Sequence, residues 1–537
     1  MQNRLRHILL IVFFFQSFNC IAEKYWISFT DKGNVIFDPL DYFSQRTIDQ
    51  RQVLRLSLYD TLDFPVNENY CKTISIYCDS LSYASRWLNG IAVYTSEDNI
   101  FKIQQLQFVA SIEKMNNETV LAFEENGSYD LNKFDLSLLH YQTDRLGGKD
   151  FASDGITGKG IRIAVFDAGF KGADENYAFK KLRNEKRIIA TYDFTKKNEN
   201  VFVGHWHGTA TLSCIVGELD SVKIGLAVGA EILLARTERV SRETYSEEEY
   251  WLAAAEWADR NGANIISSSL GYTNQRYFNS EMNGHRSLVA RAATIAAAKG
   301  ILVINAAGNE ARNNWHFIDT PGDADSVLTV GGTDPETDFH IQFSSFGPTS
   351  DGRLKPNVTA PGHVTCAAVN GLANAYGTSF STPLVAGFAA CAWQKRRELT
   401  NMQLFREIEK SGHLYPYFDY AHGYGIPQAK YFINPTYNVE PTFDFVIVND
   451  QIKVVLREKY SYFSEEIAMG YESRRNLYYK IESKEGLIKS YTVYLADKKE
   501  MLNLQAEDFT AGDQITIHFE GYTGTLDFPE VQSEEKK

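Results

Sequence analysis

Four short segments of the 537-residue chain carry side chains whose types matter most in combination. Asp167 stands in the run IAVFDAG (163–169) and is followed by a glycine-containing turn. His207 lies in HWHGTATLSCIVG (205–217), where Gly-Thr leads into an apolar helical stretch. Asn309 belongs to NAAGNE (305–310), just past the apolar run ILVI. Ser379 sits in YGTSFSTP (376–383), where a glycine-containing loop enters a long apolar helical stretch. A serine hydroxyl is a useful nucleophile only beside a base. Histidine is a base near neutral pH, and a carboxylate can fix its tautomer. A side-chain amide can donate to an oxyanion; removing such a donor typically costs about 2.7–4 kcal/mol of transition-state stabilisation. Taken singly, each residue has a plainer explanation: a turn aspartate, a satisfied histidine, a loop asparagine, and a helix start that Thr378 or Ser381 could cap. His205 is a near decoy for His207. Two histidines at that spacing suggest a metal only with a third ligand, and none lies nearby.

These residues need a scaffold that brings distant segments together. From about residue 136 to 435 short apolar runs alternate with helical patterns. The runs are 161–166, 232–234, 265–270, 301–304 and 327–330; the helices are 247–260 and 287–299. Gly262 and Gly300 follow those helices closely, as helix stops do. The alternation predicts an α/β fold with a parallel sheet and helices on both faces. In such sheets reactive groups gather beyond the carboxyl ends of the strands.

Two further regions flank this one. Residues 23–135 read as a small α+β unit followed by a linker. Strands are expected at 25–29, 86–95 and 108–112, helices at 47–56 and 98–107, and the linker at 116–133. Residues 436–530 contain alternating runs such as FDFVIVNDQIKVVL and DQITIHF, which predict an all-β, sandwich-like domain. Residues 531–537 form a charged tail.

Composition narrows the function classes. Apolar residues make up 44% and charged residues 23%, an ordinary globular balance. A net charge of −14 argues against nucleic acid as a partner. None of the six cysteines forms a C-x-x-C pair, and Cys71 and Cys78 are near enough in sequence to pair. At the N-terminus, Arg4 and Arg6 precede an apolar run at 8–15 and then Cys20-Ile21-Ala22. This predicts a signal peptide over 1–22, cut after Ala22, and a secreted, periplasmic or cell-surface protein. The run is too short to span a bilayer, and no transmembrane span is expected. Lipidation at Cys20 is the rival reading, and Phe18-Asn19 fits it poorly.

Set in order, the four segments resemble the subtilase family of serine peptidases, whose chain order is Asp, His, Ser. The resemblance rests on FDAG, HGTA, AAGN and GTSFSTP. SSSLG (267–271), FSSFGPTSDGRLKPNVTAPG (343–362) and GYGIPQA (423–429) extend it. One departure is Ala168, where the family usually has Ser or Thr. The N-terminal unit resembles the family's propeptide, which assists folding and inhibits until it is cut.

The resemblance implies a self-processed endopeptidase precursor with Asp167, His207 and Ser379 as triad and Asn309 at the oxyanion. It also implies a substrate strand laid along Ser269, Leu270 and Gly271. The primary pocket is then walled by those residues with Ala307 and Gly308. Asp319, two places before Pro321, stands at its floor and would favour Lys or Arg. Protein or peptide substrates, the chain's own propeptide as inhibitor, and a monomeric state are expected. Water is the second substrate, so no cofactor is required. Calcium commonly stabilises this family; Asp323 and Asp325 offer carboxylates, but no spacing specifies a metal site. Two rivals stand beside this reading. One is an inactive subtilase homologue acting as a binding protein. The other is an acid peptidase of the sedolisin kind, which HGTA opposes because that group uses Glu in place of His.

Overall fold

The computed structural model of the chain describes residues 22–115, 133–220, 222–239, 246–273, 276–434, 439–448, 451–461, 475–496, 499–505 and 509–528. The expected signal peptide except Ala22, most of the expected linker at 116–133 and the charged tail lie outside these residues.

Among the described residues, 22–35 and 65–115 form one compact unit. Its sheet has the order β2-β3-β1-β4. The strands are β1 (Glu23–Phe29), β2 (Ser80–Ser85), β3 (Gly90–Thr95) and β4 (Val109–Met115). Helices Glu68–Ser75 and Glu97–Gln104 accompany it, with Asn67 and Ser96 as N-caps. The strand expected at 86–95 is shorter. Asn89 adopts φ 43, a left-handed turn conformation, so the chain reverses and β3 pairs back on β2. Strand β2 and the helix Glu68–Ser75 lay outside the expected elements, although Leu81 and Tyr83 alternate with serines and Tyr70, Cys71 and Ile74 fall at helical spacing toward the unit's core. Cys71 and Cys78 are both free thiols rather than a pair. A helix from Glu68 to Ser75 holds Cys71 within its turns and carries the chain away from it before Cys78.

The second unit comprises Ile36–Phe64 and the described residues from Lys133 onward. At its centre lies a seven-stranded sheet of order β13-β12-β11-β10-β5-β9-β6. These strands are β5 (Arg162–Asp167), β6 (Ile188–Asp193), β9 (Glu231–Arg236), β10 (Ile265–Ser268), β11 (Leu302–Ala306), β12 (Val327–Thr333) and β13 (Val358–Pro361). Every adjacent pair is parallel. A small hairpin, β7 (Glu218–Leu219) and β8 (Val222–Lys223), and a longer one, β14 (His363–Ala367) and β15 (Leu372–Tyr376), complete this part. The near-continuous apolar runs are explained by burial on both faces: Ile163, Ile232, Ile265, Leu302 and Val330 are all fully buried.

Helices Ser246–Arg260 and Leu288–Ala298 lie close to their expected bounds. Ser287 caps the second by accepting from Ala290 N at 3.0 Å. Gly262 and Gly300, at φ 70 and 91, end the two helices in the left-handed conformation that glycine adopts freely. The strand expected at 265–270 stops at Ser268, so residues 269–271 run free of the sheet.

The C-terminal part is all-β. It has one sheet of order β16-β17-β20 and another of order β19-β18-β21-β22. The strands are β16 (Phe443–Val448), β17 (Gln451–Leu456), β18 (Asn476–Glu482), β19 (Ile488–Leu495), β20 (Glu500–Gln505), β21 (Gln514–Phe519) and β22 (Tyr522–Asp527). Phe443, Val454, Leu477, Ile515 and Phe519 form one core between the sheets, as a sandwich requires. Tyr478 joins Leu414 and Tyr417 of the α/β body in a second apolar cluster.

Candidate active site

Because all seven central strands are parallel, their carboxyl ends share one edge. Asp167 is the last residue of β5 and is fully buried. The helix His207–Val216 begins at the same edge. His207 Nδ1 lies 2.9 Å from Asp167 Oδ1 and 3.1 Å from Oδ2. Thr211 Oγ1 donates to Asp167 Oδ2 at 3.0 Å, and Ala168 N donates to Oδ1 at 2.7 Å. The carboxylate is thus fixed from three directions, with its imidazole contact facing the half-exposed His207. His205, the decoy, has a different part: its Nδ1 accepts from His207 N at 3.2 Å.

Ser379 is the second residue of the helix Thr378–Lys395. Gly377 precedes it at φ 144 and supplies no side-chain cap. First-turn N–H groups have no partner inside their own helix and favour an anion. The ring of Phe380, the next residue, lies 5.5 Å from that of His207, centroid to centroid. Ser379 Oγ donates to Ser269 O at 3.4 Å, and Ser269 Oγ donates to Ser379 O at 2.8 Å. Asn309 Oδ1 accepts from Thr378 N at 2.9 Å and from Thr378 Oγ1 at 3.1 Å. With its carbonyl oxygen engaged at the helix start, the amide nitrogen is the group left to donate beside Ser379.

The predicted substrate walls come together as well. Residues 269–271 continue past β10, and Asn305 Nδ2 holds Leu270 O at 2.9 Å. Asp319 N donates to Ala307 O at 3.0 Å. The Asp319 carboxylate then lies between two glycines. A Cβ on Gly271 would fall 2.5 Å from its Oδ2, and one on Gly308 2.4 Å from the same atom. Neither position has room for a side chain. Asp319 itself is 5% exposed.

Two residues of this site were missed in the sequence. Thr211 lies one helical turn after His207 on the same face, a spacing that could have found it. Arg236 ends β9 directly opposite Asp167 in register. Its Nε donates to Ala168 O at 3.2 Å, and its Nη1 bonds Asp193 Oδ2 at 2.9 Å. The turn after Asp167 is therefore braced by a buried arginine from the neighbouring strand. Asp323 Oδ2, a calcium candidate, accepts from Gly284 N at 2.7 Å. Among the described residues no three His, Cys, Asp or Glu side chains converge as a metal cluster.

This edge, with its carboxylate–imidazole pair and serine-bearing helix start, is the one the subtilase motifs describe. Residues 158–425 match the Subtilase family, and residues 24–128 match the Peptidase S8 propeptide domain, Bacteroidota. The chain belongs to the subtilase family. Among curated relatives it is 28% identical over 261 residues to alkaline elastase YaB of Bacillus sp. (strain YaB), covering 48% of this chain and 61% of that one. It is 27% identical over 316 residues to serine protease AprX of Bacillus subtilis (strain 168), covering 52% and 68%. MycP1 from Mycobacterium smegmatis is a solved structure with TM-score 0.46 and 20% identity, over 61% of this chain and 92% of that one. Among the described residues no helix is long and apolar enough to cross a membrane.

Proposed function

We propose that the chain is the secreted precursor of a serine endopeptidase that works through an acyl-enzyme. Ser379 Oγ attacks the scissile carbonyl while His207 takes its proton. His207 then returns that proton to the leaving amine, and water repeats the cycle to free the acid. Asp167 holds the imidazole tautomer and balances its charge as it becomes cationic. The Asn309 amide and the Ser379 backbone N–H receive the oxyanion. The substrate lies extended against residues 269–271 by added-strand pairing. What carries the reading is the Asp167–His207 contact at 2.9 Å, set at the strand ends where the Ser379 helix also begins. Residues 1–22 serve as the signal peptide, and the cut that matures the enzyme falls before the α/β body.

Ser379→Ala tests this. Peptide hydrolysis is expected to fall by roughly 10⁵–10⁶ in kcat, and the precursor to stay uncut when purified alone. Retained hydrolysis in that variant would sink the assignment.

The pocket reading follows from Asp319. A buried carboxylate flanked by two side-chain-free positions can meet a long cationic side chain. Cleavage after Lys or Arg is therefore favoured over cleavage after Leu. Asp319→Asn is expected to reduce kcat/KM for Lys substrates by about tenfold or more and to leave Leu substrates nearly unchanged. Equal loss on both would show that Asp319 only supports the loop.

A further inference from the structure

Residues 36–64 fall within the stretch that matches the propeptide domain, yet they pack as part of the second unit, with the α/β body. They cover the edge where the central strands begin, opposite the strand ends that hold Asp167. The helix Gln45–Leu54 docks through polar residues that recur one turn apart. Arg46 Nη2 donates to Gly160 O and to Asn264 Oδ1, each at 2.8 Å, just ahead of β5 and β10. Thr47 Oγ1 lies 3.0 Å from Asp259 O and 2.9 Å from Arg260 O, its single proton shared between them, and Ser44 N donates to Arg260 O at 3.0 Å, so the last carbonyl of helix Ser246–Arg260 is satisfied from this segment. Gln50 Nε2 donates to Gly262 O at 3.2 Å.

A buried ion cluster lies at the centre. Arg51 is 2% exposed and bonds Asp63 of its own segment at 2.6 Å and Asp259 of the body at 2.7 Å. Lys299 of the body reaches Asp63 at 2.9 Å and Asp60 at 3.1 Å. Asp259 and Lys299 are 5% and 7% exposed. Two body charges are thus buried against partners that this segment supplies, and stripping the segment away would remove both sets of partners and return the two charges to water. The helix-ending Gly262 and Gly300 belong to the same fit. A Cβ on either would meet Arg46 or Leu54 at 3.0 or 2.4 Å.

We propose that residues 36–64 are a retained structural clamp of the catalytic body. When the chain is cut between this segment and the body, the clamp stays bound and keeps the N-terminal part as a non-covalent component. The maturation cut belongs to the function proposed above, but the clamp does not depend on what makes the cut.

The test uses a Ser379→Ala precursor, so a failure of the peptidase reading leaves it intact. A recognition sequence for an added site-specific protease is placed between Asn126 and Gly127. The cut protein is then followed by size exclusion and native mass spectrometry during dilution. The N-terminal piece is expected to co-elute with the body. Arg51→Met should speed its dissociation by on the order of a hundredfold. That variant leaves two carboxylates without their guanidinium and can impair folding. A second variant, Arg46→Ala with Thr47→Val, keeps the ion cluster and should speed dissociation by about tenfold. Immediate separation of the parent pieces would overturn the clamp. So would retention in both variants as tight as in the parent.

Discussion

At the carboxyl ends of the central strands the candidate reacting groups stay partly open; at the amino ends the polar groups are buried and tied down. His207 and Ser379 are half-buried and Asn309 is exposed. Arg51, Asp63 and Asp259, by contrast, are buried and bonded to one another. The same parallel strands make both edges. The helices that carry His207 and Ser379 start at one edge, and the end of helix Ser246–Arg260 is covered by residues 36–64 at the other. The contrast teaches that a parallel α/β body can spend its rigidity at one edge to leave the other open.

Substitutions at the two edges should therefore separate rate from stability. After Ser379 itself, the largest effect is expected at Asn309. Asn309→Ala should lower kcat by about 10²–10³ with KM little changed, because the Nδ2 donor acts only when the oxyanion forms, and should lower Tm by only a few degrees through loss of the Oδ1 bonds to Thr378. A matching loss of Tm would break the contrast.

A smaller effect concerns pH and a third region, where the β-sandwich meets the body. Burial lowers His413 to about 3 and His518 to about 4, with the nearby Arg145 adding to the first. His340 is lowered to about 4, also chiefly by burial. In the unfolded chain these imidazoles take a proton near 6.5. The unfolded state thus binds more protons between about 6.5 and 4, so stability is fullest above that window and falls as pH drops through it. Tm measured from pH 7.5 to 4.5 should decline, and His518→Gln should flatten the slope. A flat profile in the parent protein would remove this reading.

Much of the chemistry was legible because the reacting residue types lie in short, distinctive segments. Their scaffold was legible because strands buried on both faces read as continuous apolar runs. What escaped depends on register or on polar docking. Arg236 is 69 residues from Asp167 in sequence and meets its turn only because β5 and β9 pair as they do. The 36–64 segment gave a helix but no sign of its role, since its docking face is Arg46, Thr47, Gln50 and Arg51 rather than an apolar stripe. Asp319 was visible as a candidate, yet its place between Gly271 and Gly308 is a fact of three dimensions.

The central claim is that Ser379 is a nucleophile activated by His207 at the open edge. Labelling with a fluorophosphonate, followed by peptide mapping, tests it most directly. One adduct on Ser379 is predicted, nearly abolished in His207→Ala and absent in Ser379→Ala. An unlabelled Ser379 in folded, cut protein, or equal labelling in His207→Ala, would contradict the account.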